Sequence, residues 1–287
     1  MINIITNRII NKNYNFSFKK INNNIRICLF SDMHISKTFN MNNLAKIKST
    51  IDNNKPDYIF IVGDIIDSLD IVTEDKINIF YKWLDNLGNV NNKRIPVIVI
   101  LGNHDYYSYD RYKFDKYIDS LNKLNIHLLD DSIYEDKYIR VVGFNTPSST
   151  YHSKDSFSNL RKYINKLDNN LFDISNSKIN MALIHNPMFV INNDSKDKFN
   201  NFDLVFSGHM HNGLMLPFME KVISGNLGII SPDKKLLPKV SRNDIKINTN
   251  NYLIISGGIT KLSRSAKVLN KFNIIYPMEI TNINIKD

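Results

Sequence analysis

The stretch "YIFIVGDIIDS" at residues 58–68 decides the fold, because an apolar run ends there abruptly in acidic residues. Five short runs of this kind occur along the chain: "IRICLF" (25–30), "YIFIV" (58–62), "PVIVIL" (96–101), "MALI" (181–184) and "DLVF" (203–206). Their length and β-branched content predict strands that are buried on both faces, as in an α/β fold.

Segments with helical spacing separate the first runs. In "NNLAKIKSTIDNN" (42–54), Leu44, Ile47 and Ile51 fall on one helix face. Comparable spacing predicts three further helices: 74–88, 111–125 and 156–169. The alternation of strands and helices predicts a layered α/β domain. We expect one more strand over 137–145 and a strand-rich, antiparallel C-terminal third.

The bulk composition fits one folded domain over residues 1–287, with 222–250 as a loop excursion. The chain is 43% hydrophobic and 23% charged. Its apolar runs are far shorter than the roughly 20 residues that a membrane helix needs. The N-terminal segment lacks the apolar core of a secretory signal, and Cys28 has no second cysteine to pair with. A cytoplasmic location is therefore expected.

The formal charge of +9 and a pI of about 9.3 favour anionic partners, including phosphorylated metabolites, nucleic acid and acidic lipid surfaces. The densest basic region comprises Lys234, Lys235, Lys239, Arg242 and Lys246. The alternative is a solvated face, because the whole chain is rich in Asn, Ile and Lys.

Residues whose side chains can bind metal ions follow each apolar run. They are Asp32, His34, Asp64, Asp67, Asn103, His104, Asp105, His185, His209 and His211. In α/β sheets the loops at the carboxyl ends of strands converge, so these side chains can form one cluster. Carboxylate oxygen and imidazole nitrogen together suit manganese, iron or zinc. Each motif alone could be an ordinary turn. However, five of the seven histidines lie directly after a predicted strand. His127 and His152 do not, and they are interpreted as structural or exposed.

Two of the motifs place their ligands two residues apart, as Asp32–His34 and His209–His211. In an extended segment this spacing directs both side chains to the same side, toward one site or toward two adjacent metals. A glycine that allows a sharp turn precedes three of the motifs: Gly63, Gly102 and Gly208.

The ordered motifs "DMH", "GDIID", "GNHD", His185 and "GHMH" span residues 32–211. This set resembles the calcineurin-like metallophosphoesterase superfamily, and "GHMHNGLMLPF" with "ISGGITKLSRS" is similar to a bacterial branch of small phosphoesterases. The resemblance implies a four-layer α-β-β-α sandwich, in which two mixed sheets pack face to face with helices outside.

The resemblance also implies a role for each ligand around two divalent transition-metal ions (Mn, Fe or Zn). Asp32, His34 and His211 would bind one metal, and Asp64 would bridge to the second. The second metal would be bound by Asn103, His185 and His209. His104 corresponds to a non-ligand histidine that meets the phosphate and the leaving group, with Asp67 orienting it.

These roles predict a dinuclear metal-dependent phosphoesterase, in which a hydroxide bridging the metals attacks phosphorus. Ser68 and Leu69 follow Asp67 where the related protein phosphatases carry an arginine, so a phosphodiester or pyrophosphate is the expected substrate. Arg264 is a candidate substitute cation. The alternatives are a nuclease acting on DNA or RNA and a non-catalytic interaction scaffold. The remaining alternative partner is a membrane that the protein contacts only at its surface.

Overall fold

A computed structural model of the chain describes residues 8–151, 156–193, 195–215, 219, 223, 225–232, 235–249, 251–260 and 277–286. Its strands are β1 (Ile9–Ser17), β2 (Ile25–Phe30), β3 (Tyr58–Val62), β4 (Asn89–Val90), β5 (Lys93–Arg94), β6 (Val97–Ile100), β7 (His127–Leu128), β8 (Ser132–Glu135), β9 (Ile139–Phe144), β10 (Ile179–Ile184), β11 (Leu204–Ser207), β12 (Asn243–Lys246), β13 (Tyr252–Ile255) and β14 (Met278–Lys286). Its α-helices are α1 (Asn42–Asn54), α2 (Glu74–Leu87), α3 (Arg111–Asn122), α4 (Ser156–Ile164), α5 (Met188–Ile191) and α6 (Lys196–Phe199).

Most of the strands form two six-stranded mixed sheets. The first sheet has the order β1-β14-β2-β3-β6-β7, and the second has the order β12-β13-β11-β10-β9-β8. Parallel pairing joins β2, β3, β6 and β7 in the first sheet and β9, β10, β11 and β13 in the second. The carboxyl ends of these parallel strands carry the loops that contain the predicted ligands.

Three apolar cores separate four layers. The inner core lies between the sheets and includes Leu29, Phe60 and Phe206. A second core packs α1, α2 and α3 against the outer face of the first sheet, and a third covers the outer face of the second sheet. The fold is therefore the α-β-β-α sandwich that the sequence predicts.

The amphipathic pattern of α1 places its buried face as predicted. Leu44, Ile47 and Ile51 are its buried residues, and Ile47 and Ile51 are fully so. The helix ends at Lys55, which adopts a left-handed φ of 51° and whose N–H donates to Ile51 O. No described helix has the length and apolar character that crossing a membrane requires.

The prediction for the C-terminal third needs correction. The segment is rich in strands, but β13 pairs parallel with β11 and β14 pairs parallel with β1. Antiparallel pairing occurs between β12 and β13 and between β14 and β2. The nine-residue strand β1 was not predicted, because polar residues alternate with its half-buried apolar ones at the edge of the sheet.

Candidate metal centre

The predicted ligands come together where the carboxyl ends of both sheets meet. Asp32, Asp64 and Asn103 follow strands β2, β3 and β6 of the first sheet, whereas His185 and His209 follow β10 and β11 of the second. All seven predicted ligands are buried. Residues far apart in sequence therefore form one polar cluster inside an apolar surround.

The cluster contains three sets of side chains whose ligand atoms lie within 4.8 Å of one another: Asp32 with His34 and His211, Asp64 with His185 and His209, and His34 with Asp64 and His104. The first two sets match the two metal positions implied by the family resemblance. The role of each ligand stays a prediction at this point.

Asp64 lies between the two sets. One carboxylate oxygen, Oδ1, accepts a hydrogen bond of 2.8 Å from the His104 backbone N–H. The other oxygen, Oδ2, lies 3.6 Å from His34 Nε2 and 3.2 Å from His185 Nε2. The backbone bond fixes the carboxylate so that one oxygen faces histidines of both sets, which is the geometry of a bridging ligand.

Asp32 is held in a comparable way. Its carboxylate accepts the His209 backbone N–H at 3.1 Å and the Ser31 hydroxyl. Its Oδ1 lies 3.8 Å from Nε2 of both His185 and His211. Asp32 therefore links the loops of the first and second sheets at the centre of the cluster.

Backbone carbonyls orient two of the imidazoles. His185 Nδ1 is 2.8 Å from Val62 O, and His211 Nδ1 is 2.8 Å from Thr260 O. In each ring an Nδ1–H that donates to the carbonyl leaves Nε2 as the nitrogen that faces the acidic cluster. Partners of this kind fix the tautomer and direction of metal-binding histidines.

Several buried polar atoms fit a bound cation. His34 Nε2, His209 Nε2 and Asn103 Oδ1 have no hydrogen-bond partner among the described residues, although each is shielded from water. An unpaired buried acceptor costs about 1–3 kcal/mol. Carboxylate and amide oxygens with imidazole nitrogens are the donor set that divalent transition metals use, so the residues present fit two metal ions.

His104 differs from the ligands in its exposure. Its side chain is 27% exposed, whereas those of His34 and His185 are at most 1% exposed. His104 Nδ1 lies 2.9 Å from the Asp67 backbone O and 3.3 Å from the Asp67 carboxylate. His104 Nδ1 thus contacts both polar groups of Asp67, with the carbonyl as the closer partner, and the orienting role of Asp67 stays a prediction.

The charged groups of the cluster shift one another's pKa values. Burial opposes ionisation of Asp64, but His185, His104 and His34 outweigh it and hold the pKa of Asp64 well below its usual range. Burial likewise opposes protonation of His104, yet Asp64 and Asp67 raise its pKa to about 10. His209 lies beside other histidines, so burial and His185 lower its pKa. In the metal-free chain these interactions favour an ionised Asp64 and a protonated, partly exposed His104.

The backbone of the site departs from the extended form that the two-residue spacing assumed. Asp32, His34, Asp64, His209 and His211 have positive φ values of 52°, 46°, 52°, 67° and 47°. Left-handed backbone is uncommon for residues other than glycine, although Asp and His tolerate it better than most. Consequently His209 and His211 point into different sets, one on each side of Asp64.

The glycines before the motifs serve two purposes. Gly63 adopts a φ of 78°, which glycine tolerates best. Gly102 and Gly208 have no positive φ; a side chain at Gly102 would overlap Asp64, and one at Gly208 would come within 2.8 Å of an Asp32 carboxylate oxygen. The predicted sharp turn therefore holds at Gly63, whereas close approach explains the other two.

Asp105 supports the site without belonging to it. It is fully buried and accepts backbone N–H groups from Ile65, Ile66 and Gly102. Burial and the nearby Asp64 raise its pKa to about 6. Asp105 thus ties the loop after β3 to the loop after β6. The sequence placed it among possible ligands, and no spacing pattern distinguishes this role.

Tyr151 is a contact that the sequence did not indicate. Its ring packs edge-on against His209, with centroids 5.2 Å apart, and its hydroxyl lies 2.6 Å from the Thr146 hydroxyl. The aromatic ring closes the apolar side of the second set. Motif spacing could not reveal it, because Tyr151 lies outside all five motifs.

Three predicted residues, Lys234, His152 and Arg264, lie outside the described residues. Arg242 is buried and donates to the Leu227 and Ile223 carbonyls. The prediction that it belongs to an exposed basic region is therefore wrong for this residue. His127 packs on Tyr134, in agreement with a structural role.

Comparison with known proteins agrees with the motifs. A family model described as calcineurin-like phosphoesterase matches residues 25–213. The chain is 27% identical over 209 residues to an uncharacterized metallophosphoesterase of Campylobacter jejuni, covering 72% of this chain and 50% of that protein. It is 26% identical over 231 residues to the DNA double-strand break repair protein Mre11 of Nanoarchaeum equitans, covering 69% and 59%.

A solved structure of a dimetal phosphatase from Danio rerio is similar with a TM-score of 0.48 and 10% identity, covering 82% of this chain and 87% of that one. The chain spans about half the length of the Campylobacter jejuni protein and of two matching Helicobacter pylori metallophosphoesterases.

Proposed function

The chain belongs to the calcineurin-like phosphoesterase family, and on that premise we propose that it is a metal-dependent phosphoric ester hydrolase with two metal ions. Asp32, His34 and His211 would hold one ion, and Asn103, His185 and His209 would hold the other. Asp64 would bridge them. The metals would be manganese, iron or zinc, because mixed carboxylate and imidazole ligands suit these ions.

One observation carries the proposal: Asp64 Oδ2 faces His34 Nε2 at 3.6 Å and His185 Nε2 at 3.2 Å. A carboxylate that only capped a loop would not need histidines of two different sheets around one oxygen. When bound, a metal pair supplies a water of lowered pKa and neutralises phosphoryl oxygens.

The chain's own residues would perform the proton transfer to the leaving group. In the metal-free chain the carboxylates of Asp64 and Asp67 raise the pKa of His104, and in the proposed site the contact with Asp67 would favour the protonated imidazole. Asp67 holds Nδ1, so the opposite nitrogen is the one that can donate to a leaving oxygen. General acids placed in this manner contribute about 10²–10⁴-fold to rate.

A diester or pyrophosphate is the substrate class that we favour. The residue after Asp67 is Ser68, whose hydroxyl donates to the Tyr107 carbonyl at 3.1 Å. This position therefore offers no cation to the second negative charge of a phosphate monoester, for which a bidentate arginine is the strongest partner.

The experiment is a paired assay on metal-stripped protein reloaded with manganese. It compares turnover of bis-p-nitrophenyl phosphate with that of p-nitrophenyl phosphate, with Asp64→Asn as the matched variant. We expect preferential cleavage of the diester and loss of turnover in Asp64→Asn. If neither ester is cleaved although two metal ions bind, the hydrolase proposal fails and a non-catalytic scaffold is favoured.

A nuclease is the second candidate, supported by the relative named as a DNA repair protein and by the net charge of +9. Binding to DNA through phosphate contacts weakens linearly in log Kd as log salt rises. A steep salt dependence together with manganese-dependent cleavage of single-stranded DNA would favour the nuclease. Cleavage of small diesters without DNA binding would reject it.

A further inference from the structure

A short hairpin in the C-terminal part of the chain exposes two adjacent leucines, and we infer that it docks onto an anionic lipid membrane. The hairpin pairs residues 228–231 with 235–238, through Leu237 N–H to Ile229 O and Ser231 N–H to Lys235 O, both at 2.9 Å. We call it the Leu236 hairpin. The inference does not depend on the proposed activity.

The two leucines are the most exposed aliphatic side chains among the described residues. Leu236 is 77% exposed and Leu237 is 60% exposed, whereas the next, Ile79, is 50% exposed. A single exposed leucine is ordinary on a protein surface. Two adjacent ones on a hairpin that also carries the half-buried Ile229 and Ile230 form an apolar surface that favours a partner.

The backbone at Leu237 is left-handed, with a φ of 50°. This conformation is unfavourable for a branched apolar residue and is adopted readily by glycine or asparagine. Regular strand geometry would turn one of two successive side chains inward. The exposed Leu237 thus occupies a position whose backbone favours glycine or asparagine. An apolar residue that is retained despite this cost is expected where the surface has a function.

The charge beside the leucines decides the kind of partner. Lys235 lies on the second arm of the hairpin and Lys239 directly follows that arm; both are exposed. Lysine is depleted from protein–protein interfaces, whereas apolar residues flanked by lysines are typical of surfaces that bind anionic lipids. The net charge of +9 adds long-range attraction to such a membrane.

The hairpin is coupled to the candidate metal centre. The Ile229 and Ile230 N–H groups both point to Gly213 O, at 2.7 and 3.2 Å. Gly213 and Gly228 pack so closely that a Cβ on either would lie within 2.7 Å of the other's Cα. Since Gly213 follows His211 by two residues, docking of the hairpin would set the orientation of the metal centre relative to the membrane.

Cosedimentation with vesicles tests the inference. The full chain is mixed with vesicles of phosphatidylcholine alone or of phosphatidylcholine containing phosphatidylglycerol, and the partition coefficient is measured. The variant is Leu236→Ser with Leu237→Asn, because asparagine accepts the left-handed backbone and preserves the hairpin. Ile174→Ser, at an exposed apolar position elsewhere, is the matched control.

We expect binding to the anionic vesicles, a loss of about tenfold or more in the leucine variant, and no change in Ile174→Ser. Lys235→Gln with Lys239→Gln should weaken binding as well. The inference is overturned if the wild-type chain does not bind, or if the leucine variant binds as well as the wild type. It is also overturned if sedimentation velocity shows that the leucines hold two copies of the chain together instead.

Discussion

Replacement of Gly63 by alanine should disable one side of the candidate metal centre, and Gly225 offers a matched control. Both glycines have nearly the same left-handed backbone, with φ values of 78° and 76°. A Cβ on Gly63 would lie 2.5 Å from His185 Nδ1 and 2.8 Å from Gly102 N. On Gly225 it would meet no atom within 4 Å in the described part of the chain.

The two variants share the cost of placing alanine in left-handed backbone, about 1–2 kcal/mol. Gly63→Ala adds the cost of overpacking, about 1–3 kcal/mol. It also removes the space in which His185 Nδ1 bonds to Val62 O. We therefore expect a loss of unfolding free energy of about 2–5 kcal/mol for Gly63→Ala and about 1–2 kcal/mol for Gly225→Ala.

The two variants should also differ in their affinity for metal ions. If the His185 ring moves, its Nε2 no longer lies beside Asp64 Oδ2, and metal affinity at that position should fall by about 10–100-fold. Urea unfolding of chelator-treated protein gives the stability difference, and calorimetric titration with Mn²⁺ gives the binding stoichiometry. Equal destabilisation of both variants, with two Mn²⁺ ions bound by each, would refute the steric reasoning.

Three further outcomes follow from the same geometry. His104→Ala should still bind two Mn²⁺ ions by calorimetry but lose about 10²-fold in turnover of bis-p-nitrophenyl phosphate; unchanged turnover would remove His104 from the reaction. Leu237→Asn should raise the unfolding free energy by about 1 kcal/mol, because it relieves left-handed strain, and an unchanged or lower urea midpoint would contradict this. The pKa of Asp105 is raised to about 6 in the folded chain, so folding takes up a proton at this carboxyl between about pH 4 and 6. The contribution of Asp105 to the free energy of unfolding is therefore full below about pH 4 and is lost as the pH rises through 6. Chelator-treated protein should thus lose about 3 kcal/mol relative to Asp105→Asn between about pH 4 and 7, and parallel pH profiles of the two proteins would exclude this linkage.

The layers of the fold could be predicted from the sequence, because buried strands appear in it as apolar runs and buried helix faces as apolar residues at helical spacing. The five apolar runs became strands whose apolar residues are buried, and the apolar face of α1 was predicted residue by residue. Strand direction was predicted poorly. Pairing of β13 with β11 and of β14 with β1 depends on which distant strand lies alongside, and apolar content does not specify that partner.

The convergence of the candidate ligands was also predicted, since strand ends in α/β sheets meet at one edge. The backbone conformation that aims them was not. Left-handed φ values at Asp32 and His209 arise from contacts with other loops, such as the His209 N–H bond to Asp32. The supporting role of Asp105 was not predicted for the same reason, because its partners Ile65 and Gly102 belong to two different loops.

The left-handed backbone at Asp32, His34, Asp64, His209 and His211 has an evolutionary consequence. At each position glycine would relieve strain of about 1 kcal/mol, so selection for the proposed metal centre and selection for stability act in opposite directions. A duplicated copy released from the proposed metal binding would gain stability where glycine replaced one of these residues. Such copies should therefore show glycine at these five positions first, before their apolar cores diverge.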